Sequence, residues 1–393
     1  MLKLSTEDKS SNKHIDCEKI EETKKERNKY WDIVKGVGIL SIVIGHVCCP
    51  VMLRKFVYTF HLVIFYFVAA YFYNENKYGD KPSEYFITRF KNMWIKYFLY
   101  STALVLLHNF FFKYNFYTNM NQYTFSDLLV NISKNLIFAS GEPFTAALWF
   151  VATLIIANGL FAVIVYISRK ISLILNKEKN KQYIKYISIV IITFLVGSIG
   201  VFLNNNKLEI LYQVHTSLLI LPIYTLAYFS KIILTKYNKR IKDVKWYIYL
   251  ILSILSAFFL YLIISKKGME IELAQEQING YMFYIISIIG ICFCLSISKV
   301  IEKISFISNI MSVVGKRSFT IMALHLVCIK PLEILYVYIM NEANLEIIKR
   351  LLILNSNNLW MIYAFVGVSI PTLISIVLDI IKNKIKKQLQ QKA

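Results

Sequence analysis

The first apolar stretch of the chain and the start of the next carry three ionisable side chains, Lys35, His46 and His61. Lys35 and His46 are eleven residues apart. In an α-helix this is about three turns plus 20°, so both project from one face with roughly 16 Å between them along the axis. Imidazole titrates near neutral pH, and two imidazoles that face one cavity suit proton transfer. These residue types and their spacing predict general acid–base chemistry.

A hairpin between the two histidines would bring them together. A turn near residues 53–54 lies midway between His46 and His61, so two antiparallel helices joined there place both imidazoles at similar depth. Asp32 precedes Lys35 by three residues and is expected to pair with it or to cap the helix.

Other histidines in apolar segments have a simpler interpretation. A lone histidine in a membrane span is commonly a hydrogen-bonding group between helices, and we interpret His108 and His215 in this way. The first hairpin differs, because three ionisable groups in one hairpin are costly as packing material. Lys35 by itself could instead extend its ammonium group to the membrane interface.

The composition limits the class of protein in which this chemistry occurs. The 393 residues are 56% hydrophobic and 18% charged, whereas the usual charged share is about 25%. This excludes a soluble cytosolic enzyme, a fibrous protein and a disordered chain. The 6 cysteines form no paired CxxC motif, so we expect no metal and interpret them as core residues.

Long apolar runs predict an all-α, polytopic transmembrane helix bundle. A helix needs about 20 mostly apolar residues to cross the hydrocarbon of a bilayer. The first run follows a polar tail that is too long for a signal peptide, so we interpret it as a retained span. The predicted ten spans are 33–53, 56–73, 93–112, 146–168, 184–203, 215–235, 246–264, 281–298, 318–340 and 359–381.

The distribution of basic residues predicts the orientation. If the amino terminus is cytoplasmic, the inside segments carry 33 Lys and Arg and the outside loops carry 9. Cytoplasmic loops carry such an excess, so both termini are predicted to be cytoplasmic. The net charge of +21 is then explained by topology and by contacts with anionic lipid. We therefore expect no nucleic-acid partner.

The chain divides into one membrane domain and two short tails. Residues 1–30 and 382–393 are predicted to be basic cytoplasmic tails, and residues 31–381 the transmembrane domain. The longest outside segment, residues 113–145, could hold a short helix near Phe125–Phe138. It is large enough to cover a site and too small to be a domain.

Three sequence elements together resemble a known family. Trp31-Asp32-x-x-Lys35-Gly36 through Gly45-His46 and Phe60-His61 resembles the opening of the acyltransferase-3 membrane family, in the style of its fucose 4-O-acetylase branch. Leu148-Trp149-Phe150 resembles its LWF element, and Gly315-Lys316-Arg317-Ser318 with Leu324-His325 resembles its G-K-x-S…L-H element. The family usually continues M-P-L-F-F-x-x-S-G after the second histidine. Here the proline is absent and Ala69-Ala70 replaces Ser-Gly.

The resemblance implies transfer of an acyl group, most often acetyl, from cytoplasmic acyl-coenzyme A to a hydroxyl of a surface glycan or lipid-linked sugar. Acyl-coenzyme A is then a co-substrate, with no permanently bound cofactor. His46 would act as general base or carry the acyl group transiently, two alternatives that the sequence leaves open. His61 and His325 would orient His46 or stabilise the oxyanion.

The resemblance also implies two binding sites. Lys35, held by Asp32, would bind the anionic end of the donor together with other inside basic residues such as Lys91, Lys316 and Arg317. On the acceptor side, Trp149 could stack on a sugar face or anchor the interface, and Glu142 is the second candidate.

One alternative comes from a different class of protein. A transporter or flippase for a glycan or lipid-linked sugar could use His46 and His61 in a proton relay, although no paired broken helices support it. The acceptor, the acyl length and the oligomeric state stay open. The abundance of Ile, Lys, Asn and Tyr is typical of an AT-rich genome, so we expect a bacterial plasma membrane protein.

Overall fold

The computed structural model describes residues 28–117, 120–175, 180–208, 210–237, 243–266, 271, 273, 278–339 and 359–392. All secondary structure within these residues is helical, which confirms the predicted all-α class. The predicted tail 1–30 lies outside them up to residue 27, and so does the whole predicted outside loop 341–358.

The helices are numbered in chain order. The first half of the chain forms α1 (Lys29–His46), α2 (Val51–Tyr58), α3 (Val63–Tyr71), α4 (Glu75–Tyr78), α5 (Pro82–Leu106), α6 (His108–Lys113), α7 (Phe125–Leu136), a 3-10 helix (Pro143–Leu148) and α8 (Trp149–Leu175). The second half forms α9 (Lys181–Asn205), a 3-10 turn (Leu211–Gln213), α10 (Val214–Leu219), α11 (Leu221–Lys236), α12 (Trp246–Ile264), α13 (Met282–Lys303), α14 (Ser305–Lys316), α15 (Ser318–Ile339) and α16 (Trp360–Lys392).

Within the described residues, seven helical segments are long and apolar enough to cross a membrane. They are Val51–Tyr71, Pro143–Leu175, Lys181–Asn205, Trp246–Ile264, Met282–Lys303, Ser318–Ile339 and Trp360–Gln390. The pair α10 and α11, bent by 48°, would make an eighth. The chain is thus a multi-pass helical membrane protein. The two other predicted spans coincide with α1 and α5, both of which carry charged residues.

The first hairpin turns earlier than the sequence predicts. α1 ends at His46 and α2 begins at Val51, so the turn occupies residues 47–50 and the prediction of 53–54 is wrong. The reason is Pro50, which has no backbone N–H and disfavours helical angles in the residue before it.

The second predicted span is interrupted. α2 returns alongside α1, since the Tyr58 hydroxyl donates to the Gly45 carbonyl at 3.1 Å. The chain then makes a turn at residues 59–62, where the Thr59 hydroxyl donates to the Phe56 carbonyl at 2.7 Å, before α3 begins. His61 lies in this turn, so the position of its ring depends on a break in the span.

α1 lies at the centre of the bundle. It contacts α14, α13, α2, α15, α16 and α3, and its closest approach is to α14. A Cβ on Gly36 would overlap the Met311 carbonyl, and a Cβ on Gly315 would overlap the Asp32 carbonyl. Glycines at these two positions therefore let the backbones of α1 and α14 touch.

Residues 113–145 contain the predicted short helix. α7 begins after a capping box, in which the Thr124 hydroxyl accepts from the Asp127 backbone N–H and the Asp127 carboxylate accepts from the Thr124 backbone N–H. The helix ends at Leu136, so the prediction near Phe125–Phe138 is confirmed.

A half-buried carboxylate joins four helices. Glu75 on α4 accepts from Arg169 on α8 at 3.2 Å, from Lys185 on α9 at 2.8 Å and from the Tyr228 hydroxyl on α11. Burial acts to raise the pKa of Glu75, but the hydrogen bonds from Lys185 and Tyr228 and the neighbouring positive charges outweigh it. The pKa of Glu75 therefore lies below its ordinary value.

Candidate active site

His46 is the last residue of α1, and its ring meets the ring of His325 on α15. Nδ1 of His46 lies 3.1 Å from Nε2 of His325, and the ring centroids are 5.0 Å apart. On its other side, Nδ1 of His325 lies 3.0 Å from the carbonyl oxygens of both Ile321 and Met322. Because a carbonyl can only accept, Nδ1 of His325 carries a proton.

These contacts define the tautomers of the two neutral rings. His325 is protonated on Nδ1 and accepts through Nε2, so Nδ1–H of His46 is the donor between the rings. The lone pair of His46 then lies on Nε2. This is the atom that can take a proton or attack a carbonyl carbon.

His61 faces the same cavity as His46. The cavity has a volume of about 100 Å³ and is lined by His46, His61, Ile42, Tyr58, Leu62, Ala147, Trp149, Leu273 and Met322. The His61 ring stacks on Tyr58 at a centroid distance of 4.5 Å. Its Nδ1 is buried and has no hydrogen-bond partner within the described part of the chain. The prediction that the two histidines meet in one cavity is confirmed.

Trp149 forms part of the wall of this cavity and of a second one. It is the first residue of α8 and directly follows the 3-10 helix Pro143–Leu148. The second cavity has a volume of about 310 Å³ and is lined by Trp149 together with Tyr97, Phe138, Ser140, Gly141, Glu142, Pro143, Thr145, Ala146 and Leu148. Trp149 therefore borders both the cavity of the histidines and the segment that leads from α7 to the 3-10 helix.

The Glu142 carboxylate is held by partners that do not line this second cavity. Its side chain is fully buried, with one oxygen 2.8 Å from Nδ1 of His108 and the other accepting from the Tyr117 hydroxyl at 3.0 Å. The His108 ring also stacks on Tyr123 at a centroid distance of 3.4 Å. Glu142 directly precedes the 3-10 helix that leads to Trp149, so these contacts fix the start of that helix.

This network explains His108. Its Nε2 lies 3.0 Å from the Asn121 carbonyl, so both ring nitrogens have partners. The interpretation of His108 as a hydrogen-bonding group between elements is confirmed. Burial raises the pKa of Glu142, with His108 and Tyr117 opposing this effect.

Two of the predicted donor-binding residues line a basic cavity. Lys316 and Arg317 lie between α14 and α15, and the cavity beside them has a volume of about 700 Å³. Its other charged lining residues are Lys96, Lys382 and Asp379, and Arg317 lies 3.3 Å from Asp379. Four cationic groups around one cavity favour a phosphate-bearing ligand.

The other two predicted donor-binding residues form a separate pair. Nζ of Lys35 lies 2.7 Å from the Asp32 carboxylate, so the expected pair is present. The pair does not line the basic cavity, but the Asp32 backbone touches Gly315, next to Lys316. Lys91 is exposed on α5 and is likewise not part of the cavity lining.

Three residues that line these cavities were not predicted from the sequence. Lys96 carried a signal, because it is a charge within a predicted span, yet its partners on α15 and α16 are far away in sequence. Lys382 and Tyr97 carried no signal that separated them from other lysines and tyrosines.

A buried ion pair lies on the helix that carries His325. Nζ of Lys330 lies 3.2 Å from Glu333, and both side chains are nearly inaccessible. The pair shows how α15 accommodates the charges and Pro331 that interrupt its apolar sequence. Across the described ranges, no group of three or more His, Cys, Asp or Glu residues could hold a metal ion.

The fold and the site define a helical membrane protein with a histidine cluster inside the bundle. Comparison with known families matches residues 28–380 to the acyltransferase-3 family, described as an acyltransferase domain. The match covers most of the chain, so the protein belongs to this family and is a membrane acyltransferase. No curated protein and no solved structure gives a significant match.

Proposed function

We propose that the protein is an O-acyltransferase, in the first instance an O-acetyltransferase. It moves an acyl group from cytoplasmic acyl-coenzyme A to a hydroxyl of a cell-surface polysaccharide or lipid-linked sugar. The observation that carries this proposal is that His46, which lies 3.1 Å from His325, shares one cavity with His61. Family membership supports acyl transfer and does not favour the transporter alternative.

His46 is the base in this proposal. Its Nε2 takes the proton of the acceptor hydroxyl while the hydroxyl oxygen bonds to the thioester carbonyl carbon. The carbon–sulfur bond then breaks, and the proton on His46 passes to the leaving thiolate to give free coenzyme A. His325 keeps the lone pair of His46 on Nε2 and stabilises the imidazolium that forms between the two transfers.

His61 stabilises the oxyanion. Its ring lines the cavity of His46 and is held in place by stacking on Tyr58. A neutral His61 offers one N–H to the carbonyl oxygen as negative charge develops there. Burial in a small cavity strengthens that interaction, because little water competes for it.

The donor binds with its phosphates in the basic cavity. Lys316 and Arg317 contact the phosphates together with Lys96 and Lys382, while Lys35 and Asp32 hold the adjacent end of α1. Arg317 directly precedes α15 and lies eight residues before His325, which is roughly 12 Å along the helix axis. This separation suits an acyl-pantetheine arm that runs from the phosphates to the histidines.

The acceptor binds beside Trp149, with Glu142 holding the 3-10 helix in position. Trp149 connects the acceptor site to the histidines in this proposal, because its side chain lines both cavities. The first-hairpin motif further supports placement in the fucose 4-O-acetylase branch. We leave the acyl length to be tested with acetyl and succinyl donors.

We also propose ten spans with both termini in the cytoplasm of a bacterial plasma membrane. α1 and α5 are then spans as well, their charges lying at the inner end or facing the bundle. Residues 1–30 and 382–393 form tails around the membrane domain 31–381 and contact anionic lipid. Labelling of single cysteines introduced at position 392 in intact and permeabilised cells tests this, and labelling in intact cells would contradict it.

The test of function is a transfer assay. Purified protein in lipid nanodiscs is mixed with radiolabelled acetyl-coenzyme A and extracted envelope glycans, and both free thiol and labelled glycan are measured. We expect stoichiometric release of thiol and labelling of glycan, both lost in His46→Ala. Absence of thiol release with every acceptor would overturn the proposal, and glycan uptake into vesicles would then favour transport.

A further inference from the structure

The cavity that holds the histidines is too small for a sugar ring. Its volume of about 100 Å³ is below that of a cavity of ~150 Å³ that just accommodates benzene. It has room for a hydroxyl group and a thioester carbonyl. The body of the acceptor must therefore lie elsewhere, in a space that borders this one.

The cavity on the other side of Trp149 has the required size. Its volume of about 310 Å³ lies within the range of roughly 300–1,000 Å³ that is usual for small-molecule sites. Trp149 lines both spaces, so the larger one adjoins the cavity of His46 at this side chain.

The walls of the larger cavity combine aromatic rings with hydroxyl groups. Tyr97 and Phe138 pack together at a centroid distance of 4.5 Å, and Trp149 adds a third ring. Ser140 contributes a buried hydroxyl that has no partner in the described part of the chain. Thr145 donates to the Glu142 carbonyl at 2.6 Å, so its oxygen can still accept. Apolar faces with scattered hydroxyls suit a ring that carries C–H on its faces and O–H on its edge.

The charge of the lining decides the class of that ring. None of its lining residues is Lys, Arg or His, and its one acidic lining residue is Glu142, whose carboxyl contacts His108 and Tyr117. A phosphate or carboxylate placed here would be buried without a cation, which is costly. The cationic side chains that could bind such a group line the separate basic cavity between α5, α15 and α16.

We infer that the cavity bounded by Tyr97, Phe138, Ser140, Thr145 and Trp149 binds one uncharged sugar ring. The inference rests on the proposed function, because it takes the acceptor of acyl transfer as the ligand. It adds that the ring carrying the reacting hydroxyl is neutral and unphosphorylated. An acidic or phosphorylated unit of the same glycan must lie outside this cavity.

Direct binding tests this without turnover. Full-length protein is placed in lipid nanodiscs, because a glycoside detergent would compete, and the binding of methyl glycosides is measured by isothermal titration calorimetry, which does not depend on Trp149 as the reporter. The panel is methyl glucoside, methyl galactoside, methyl fucoside and methyl N-acetylglucosaminide, with methyl glucuronide as the charged comparison. We expect saturable binding of at least one neutral glycoside and at least about tenfold weaker binding of the glucuronide.

Variants assign the binding to the cavity. Trp149→Phe should weaken it about tenfold, because the indole face is lost, and Ser140→Leu should abolish it by filling the space. Trp246→Phe is the matched control, since Trp246 is 50% exposed on α12, and Ser133→Leu on the exposed face of α7 is the second. Both controls should bind as the parent protein does.

The remaining outcomes overturn the inference. They are no binding by any neutral glycoside, glucuronide binding as tight as that of its neutral counterpart, or binding unaffected by Trp149→Phe and Ser140→Leu. Thiol release from acetyl-coenzyme A is measured on the same samples. If release depends on His46 but neither cavity variant alters it, the inference fails while acyl transfer stands; if release is absent, the proposed function fails.

Discussion

Nδ1 of His46 lies 3.1 Å from Nε2 of His325, although 279 residues separate the two in the chain. His46 ends one helix, whereas His325 lies within another, where two backbone carbonyls fix its tautomer. This arrangement gives the histidines unequal roles. His46 presents a lone pair to the cavity, and His325 holds it there.

The two histidines should act as one unit. His46→Ala should lower kcat by about 10³-fold, within the usual range for loss of a general base. His325→Ala should lower it by roughly 10²-fold, and the double variant should be no worse than His46→Ala, because a positioning residue has no effect once its partner is absent. Thiol release with saturating donor and acceptor measures all three.

His215→Gln is the control, because His215 is buried on α10 and lies outside the histidine cavity. It should retain kcat, with thermal unfolding recorded for every variant. Losses that simply multiply in the double variant would mean that His46 and His325 act independently. A labelled acyl group trapped on His46 would replace direct transfer by a covalent mechanism.

The basic cavity should govern donor affinity. Lys96→Gln and Lys316→Gln should each raise the KM for acetyl-coenzyme A about three- to tenfold with little change in kcat, because a phosphate contact made in both ground and transition states is lost. The effect should disappear with acetyl-pantetheine, which lacks the nucleotide phosphates. Lys91→Gln is the matched control, as Lys91 lies on the same helix and is exposed. An equal effect of Lys91→Gln would point to general surface charge instead.

The contact between α1 and α14 should tolerate no side chain at Gly315. In Gly315→Ala the new Cβ would overlap the Asp32 backbone carbonyl, which cannot move without displacing α1. We expect a large loss of folded protein, measured by size-exclusion chromatography of the solubilised protein. In Gly367→Ala the nearest atoms are side-chain tips of Ile329 and Val43, at 2.9 Å, which can shift. That variant should fold, and equal losses in both would show that any glycine replacement is harmful.

Glu75 should make stability depend on pH. Its pKa in the folded protein lies below the ordinary value of 4.5, so its stabilising effect is present above that value and is lost as the pH falls through the folded pKa. Glu75→Gln should cost about 1–3 kcal/mol at pH 7, as expected for hydrogen bonds to a charged group. The difference from the parent protein should shrink as the pH falls below 4.5 and through the folded pKa, as measured by thermal unfolding.

Asp80→Asn provides the comparison for Glu75. Asp80 pairs with the same Arg169 at 2.6 Å but is 57% exposed, so its loss should have little effect at any pH. A shift at pH 7 as large as that of Glu75→Gln would assign the effect to Arg169. A difference that persists at low pH would mean that the Glu75 carboxylate charge is not responsible.

Much of this protein could be predicted from local patterns. The spacing of Lys35, His46 and His61 placed ionisable groups in one hairpin, because helix periodicity fixes the angle between residues of one helix. Apolar runs predicted the helices, since any segment that crosses a bilayer must satisfy its own backbone hydrogen bonds. The pair Asp32–Lys35 and the short helix α7 followed from spacing and capping in the same way.

The sequence by itself therefore determined the class of protein, its helices and the hairpin that carries His46 and His61. Only the tertiary structure decided that the ring of His325 contacts the ring of His46 and that the Glu142 carboxylate contacts His108 and Tyr117. It also decided that Lys96 and Lys382 line the same cavity. The reason is physical. Helix periodicity and capping depend on near neighbours in the chain. Contacts between helices depend instead on where small residues allow close approach and where a residue such as Pro50 ends a helix. No spacing along the chain encodes which helix becomes the neighbour.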